Sequence, residues 1–182
     1  FLSSASVQFA VRDFEKTYGP RWEMLPDKVM FQVNDTHPGL AIPELMRVLI
    51  DEKGLGWDEA EAITRRCFAY TNHTVMQEAL ERWPERMVSM LIPRIYMILQ
   101  EMNRRLCADL WNHFPGEWNR IAQMAILAYN QVHMANLCVS MCSMVNGVSQ
   151  IHAEILRKQT FKDYYQLYPS RFIGITNGIT HR

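Results

Sequence analysis

The sequence predicts an α/β fold in which about three short parallel strands alternate with helices. Three compact β-prone runs carry the prediction: residues 28–33 (KVMFQV), 66–70 (RCFAY) and 171–175 (RFIGI). Each is of strand length, and helical sequence separates them, the order of parallel strands joined by helical crossovers. Each run then empties into a polar cluster: Asn34-Asp35-Thr36-His37-Pro38-Gly39, Thr71-Asn72-His73-Thr74 and Thr176-Asn177-Gly178-Ile179-Thr180.

The helices follow in order. No basic-then-apolar stretch with a cleavage site opens the chain, so a signal peptide is not expected; residues 1–11 read as the body of a helix, and both ends read as cut from a longer chain. Pro43 suits the first turn of a helix ending near Lys53-Gly54. Asp58, with Glu61 three residues on, resembles a capping box for a helix running to about Arg65. Leu91, Ile95, Ile98, Met102 and Leu106 recur at helical spacing. Pro93 should end one helix near Ile92 and start another, because it lacks an amide donor. Residues 121–148 form the longest apolar stretch. Gln123, Asn130, Gln131, His133 and Asn136 interrupt it too often for a membrane span, and it reads as a buried core helix. The whole is one structural unit, without repeats or linkers.

Composition narrows the function classes. The chain has 182 residues, of which 48% are hydrophobic and 21% charged, ordinary values for a soluble domain. Nineteen basic residues balance nineteen acidic ones, which argues against a nucleic-acid partner. Cys67, Cys107, Cys138 and Cys142 fit no zinc spacing and read as buried free thiols of a reducing, cytoplasmic protein. The twelve methionines read as packing material.

In open α/β sheets, ligands bind outside the carboxyl ends of the strands. Three such ends lined with Asn, Thr, Asp and His would form one crevice. Neutral amides, hydroxyls and imidazoles suit sugar hydroxyls, which need paired donors and acceptors rather than net charge. The plain alternative is that Asn, Asp and Thr after a strand are turn and cap residues; three clusters at three strand ends shift the balance toward a site. Asp35, His37 and His73 as metal ligands of a hydrolase form a weaker reading, because a helical His pair and a carboxylate-rich cluster are both missing. His113, His133, His152 and His181 read as isolated. Glu78 and Glu81 would share one face of a helical turn, where acidic side chains favour a helix start.

Four blocks carry a specific resemblance: KVMFQVNDTHPGLAIPELMRVLID, FAYTNHTVMQEALERWP, MANLCVSMCSMVNGVSQIHAEIL and TNGITHR. In motif, order and spacing they resemble the glycogen (α-glucan, maltodextrin) phosphorylase family. The resemblance spans nearly the whole chain and is weakest over residues 102–123 and the first twenty-odd residues. It implies a later part of the N-terminal domain of a two-domain, Rossmann-like (GT-B type) glycosyltransferase several-fold longer than this chain. It implies phosphorolysis of α-1,4-glucan by orthophosphate to glucose 1-phosphate in glycogen degradation. Pyridoxal phosphate would serve as cofactor on a lysine this segment lacks, and the parent would be a homodimer. By motif, His73 and Asn177 would contact the glucosyl unit. Asp35 and His37 would line the channel toward the glucan acceptor, with Glu78, Ala79 and Glu81 at its border. Val148 would face the glucose pocket where a helix begins, and that helix start would favour anionic phosphate. None of these residues is a nucleophile; their work would be positioning and electrostatic stabilisation. His181 and Gln77 stand where many members have Pro. The segment alone is expected to be inactive and, with bare sheet edges, to self-associate. A stand-alone carbohydrate-binding module of the same ancestry is the alternative.

Overall fold

The computed structural model describes residues 1–178. The chain alternates helix and strand. Helix α1 (Leu2–Tyr18) buries Val7, Val11 and Phe14, one stripe at helical spacing, and stops at Gly19, whose φ of 73° suits a residue without a Cβ. A short α2 (Leu25–Lys28) leads into β1 (Phe31–Asn34). Helix α3 (Ala41–Arg47), with Pro43 in its first turn, continues as a π-helical turn over Val48–Glu52. Then come α4 (Trp57–Cys67) and β2 (Phe68–Asn72). After a 3-10 turn and the short β3 (Arg82–Pro84), helix α5 (Glu85–Leu91) gives way at Ile92 to α6 (Pro93–His113). Pro93 sits at the first position of α6, as its missing N–H requires.

The predicted core helix over 121–148 is not one helix. It divides into α7 (Trp118–Met124), a hairpin of β4 (Leu127–Ala128) and β5 (Gln131–His133), α8 (Met134–Met141) and β6 (Met144–Gly147). Tyr129 and Asn130, at φ 55° and 58°, make the two-residue hairpin turn, and both left-handed residues match a type I′ geometry. All eight residues of α8 are buried, which explains the unbroken apolar sequence there. Helices α9 (Gln150–Ile155) and α10 (Lys162–Leu167), joined by a π-helical turn, deliver the chain to β7 (Phe172–Gly174). The capping box predicted at Asp58 is absent: Gly56 caps α4, and Glu61 instead accepts hydrogen bonds from Arg65 and from the Trp57 indole.

Four parallel strands form the main sheet in the order β1-β2-β6-β7; β3, β5 and β4 make a small antiparallel sheet. Strands laid down in chain order with right-handed crossovers send every connection to one face. Burial follows that rule. Val33, Phe68, Tyr70, Asn72, Val145, Gly147 and Phe172 point into the core, while Gln32, Asn34, Thr71, Asn146 and Ile173 alternate to a partly open face. Among the described residues, no helix is long and apolar enough to cross a membrane.

Candidate functional site

The carboxyl ends of β1, β2, β6 and β7 lie side by side, and the polar clusters gather there. Beyond β1, the Asp35 amide donates to the Thr71 carbonyl at 2.9 Å, one last rung beside β2. Asp35 then turns left-handed, at φ 61°, and its Oδ1 accepts the Thr36 amide at 2.8 Å. Asp is among the few residues that tolerate this region, because its short side chain bonds locally. The turn buries Thr36 and leaves His37 exposed. Gly39 closes it: a Cβ there would stand 2.9 Å from the Thr36 carbonyl oxygen and 3.1 Å from the Cys138 sulfur.

Glu81 reaches this turn from farther along the chain. Its Oε2 accepts from the Thr36 hydroxyl at 2.6 Å and lies 3.8 Å from His37 Nδ1. His37 Nε2 in turn lies 3.8 Å from Asp35 Oδ2. Asp35, His37 and Glu81 thus form one cluster, an imidazole between two carboxylates. Glu78 and Ala79 are exposed on the 3-10 turn Gln77–Ala79. That turn ends before Glu81, so the two carboxylates do not share the helical face predicted for them.

Beyond β2, the loop is built on a buried amide. Asn72, fully buried, donates to the Tyr70 hydroxyl at 2.8 Å and accepts the Thr74 amide at 2.9 Å. Burial pushes the Tyr70 hydroxyl well above its ordinary pKa, so it stays neutral and available as acceptor. His73 projects outward, with Nε2 2.6 Å from Asn34 Oδ1 on the neighbouring strand. A row of polar side chains crosses the open face beside it: Gln32 donates to Thr71 Oγ1, and Thr71 donates to Asn146 Oδ1, each at 2.7 Å.

Beyond β6, Ser149 caps α9 by accepting the His152 amide at 3.1 Å. The Val148 amide donates to His152 Nδ1 at 3.2 Å, and the Val148 carbonyl accepts the Asn177 amide at 3.3 Å. Val148 and Asn177 are therefore neighbours, and Asn177 is exposed. Helix α9 has only six residues, and the Val148 and His152 amides near its start are already hydrogen-bonded. His152, read from sequence as isolated, is a buried part of this wall. Thr36, named in the first polar cluster, and Asn146, which sequence reasoning passed over, also bond along this edge. The serine three residues before His152 was the available signal, because it marks a helix start at the strand end. His181 lies outside the described residues.

The groups gathered here are hydrogen-bond donors and acceptors. Among the described residues, no group of three His, Cys, Asp or Glu side chains could hold a metal ion. Cys67, Cys138 and Cys142 are buried, and Cys107 is half-buried. Burial raises all four thiols above their ordinary value, Cys67 to about 12, so they remain protonated and unreactive. The strand-end segments 34–39, 72–81, 147–150 and 175–178 contain no lysine or arginine. They therefore offer no amine for a Schiff base to an aldehyde cofactor.

A family model described as carbohydrate phosphorylase matches residues 1–182. The chain is 46% identical over 182 residues to the glycogen phosphorylase of Bacillus subtilis (strain 168). It is 46% identical over 190 residues to the alpha-glucan phosphorylase, H isozyme, of Solanum tuberosum. It is 45% identical over 192 residues to the muscle-form glycogen phosphorylase of Oryctolagus cuniculus. Each comparison covers 100% of this chain and 23% of the relative's length. With a match along its entire length and strand ends that gather polar, sugar-compatible side chains, the chain belongs to the carbohydrate phosphorylase family.

Proposed function

We propose that this segment supplies the glucosyl- and glucan-binding wall of an α-glucan phosphorylase active site. In the full-length protein, orthophosphate would cleave terminal α-1,4-linked glucose to glucose 1-phosphate. The observation that carries the reading is the convergence of His73, Val148, Asn177 and the Asp35–His37–Glu81 cluster on one edge of the parallel sheet, in a chain of this family.

In this reading His73 and Asn177 hold the glucosyl hydroxyls. Asp35, His37, Glu78, Ala79 and Glu81 border the path of the glucan, and Val148 closes the pocket with main chain. Pyridoxal phosphate would be the cofactor of the full-length protein. Its lysine and the basic groups that hold substrate phosphate would come from sequence beyond this quarter of the protein. The residues here fix the sugar's orientation, which lowers the barrier by positioning rather than by covalent chemistry. The segment alone would be inactive, and the full-length protein would work in the cytoplasm as a homodimer.

The test is a coupled assay for glucose 1-phosphate with glucan, orthophosphate and pyridoxal phosphate. It compares the 182-residue chain with a full-length phosphorylase that carries it. Activity in the full-length protein alone is the expected result. In that protein His73→Ala and Asn177→Ala should each lower kcat on the order of 10²-fold, the cost of removing one preorganised hydrogen bond, with the cofactor still bound. Unchanged rates in both variants would remove these residues from the site.

A further inference from the structure

We propose that His152 is a positioning residue of this site: one buried imidazole ties the loop that carries His73 to the turn that carries Val148. The proposal deepens the phosphorylase reading and rests on it for its kinetic consequence.

His152 is 6% exposed and lies on α9, behind the polar edge. Its two ring nitrogens face two different main-chain segments. The Val148 amide can only donate, so Nδ1 accepts, at 3.2 Å. The ring proton of the neutral imidazole then sits on Nε2, 3.3 Å from the Thr74 carbonyl, and donates there. Thr74 directly follows His73. The two segments leave adjacent strands, since Asn72 pairs with Gly147 in the sheet register. Ser149 holds the His152 main chain, so the ring is fixed from its own helix as well.

The loop after β2 is thereby held at two levels. Asn72 grips the Thr74 amide from within the sheet, and His152 grips the Thr74 carbonyl from α9. His73 lies inside the Asn72–Thr74 turn, directly before the residue that His152 holds, with Asn34 beside its ring. No aliphatic or amide side chain offers an acceptor and a donor across one rigid ring. Asn reproduces the reach of Nδ1 and Gln that of Nε2, so each preserves one bond. His152 touches no sugar in this arrangement; it acts through His73 and the Val148 main chain.

The experiment is a double-mutant cycle in the full-length phosphorylase, with His152→Ala, His152→Asn and His152→Gln, each made with and without His73→Ala. Misplacing a positioned group by about an ångström costs up to about 10²-fold in rate. We therefore expect His152→Ala to lower kcat about tenfold or more, with KM for orthophosphate nearly unchanged. The Asn and Gln variants should fall between Ala and wild type. In the His73→Ala background all three should lose less than about twofold, because the group they position is gone. Equal losses in both backgrounds, or no loss in either, overturn the proposal. Should His152→Ala fail to fold, the Asn and Gln cycles decide alone. Should the wild-type protein make no glucose 1-phosphate, the phosphorylase reading fails, and amide hydrogen exchange then decides the clamp. Faster exchange at 72–79 and 147–149 in the His152 variants, with other segments unchanged, upholds it; unchanged exchange there overturns it.

Discussion

Glu44 shows how a single side chain can join distant parts of this fold. Only 5% of it is exposed, yet it is ionised, because its carboxylate is fully engaged. Arg47 donates twice, at 2.8 and 2.9 Å; Ser4 and Gln8 on α1 donate at 2.8 and 3.1 Å. Burial alone would raise its pKa, but these hydrogen bonds outweigh it and hold the group below its ordinary 4.5. A depressed carboxylate stabilises the fold above its unfolded pKa and loses that contribution as pH falls through the folded one. Glu44→Gln should therefore cost about 2 kcal/mol near neutrality, within the range for hydrogen bonds to charged groups. The gap to wild type should narrow as pH falls from about 4.5, where the unfolded carboxylate gains its proton, through the lower pKa of the folded state. Urea unfolding at several pH values measures this. A gap that is constant with pH would show that the contribution is packing rather than charge.

At the scale of elements, the site depends on how closely α9 approaches β6. Gly147 ends that strand, and a Cβ there would stand 2.8 Å from the Ala153 amide nitrogen, inside any real contact. Its φ is not left-handed, so the requirement is space alone. Gly147→Ala should destabilise by about 1–3 kcal/mol, the usual cost of overpacking, and push α9 outward, lengthening the His152 bond to Val148. Thermal unfolding with and without His152→Ala checks the link: the two losses should be less than additive if the displaced helix already breaks that bond. This same junction marks where the sequence is hard to read. Strands β1, β2 and β7 stand as apolar runs followed by polar clusters, and the family motifs mark their ends. Strand β6 hides inside a continuous apolar stretch, because the fully buried α8 before it has no polar face to signal its end. The β4–β5 hairpin is hidden for another reason. Its turn, Tyr129-Asn130, lacks the Asn-Gly or Asp-Gly pattern that announces a type I′ geometry. Candidate residues in loops after strands were legible. Residues that act from a helix behind the loop, such as His152, depend on which strands are neighbours.

For the whole molecule, the decisive feature is that one face of the parallel sheet is covered and the other is not. All-parallel sheets are ordinarily buried on both faces. Here Gln32, Asn34, Thr71, Asn146 and Ile173 remain at least partly open, and large apolar side chains stand exposed elsewhere, including Met30, Trp83, Met90, Leu91 and Ile175. The accessible surface is 10030 Å². A compact monomer of this mass would show roughly 9,100 Å² by the usual surface–mass scaling, so the chain exposes about a tenth more. This chain spans 23% of the length of its relatives, whose remaining sequence would be available to cover such a surface. Produced by itself, the 182-residue chain should therefore bury part of it against other copies. Sedimentation velocity over a wide concentration range should show a mass that rises with concentration, and the dye-accessible apolar surface should fall in step. The row from Gln32 through Thr71 to Asn146 limits how this happens: its side chains satisfy one another along the face, so association there need not leave them unpaired. A charge placed in that row, Thr71→Lys, should weaken association by forcing an ammonium between two copies. A monomer at every concentration would mean that the open face is stable in water as it stands, and that the rest of the protein is not needed to cover it.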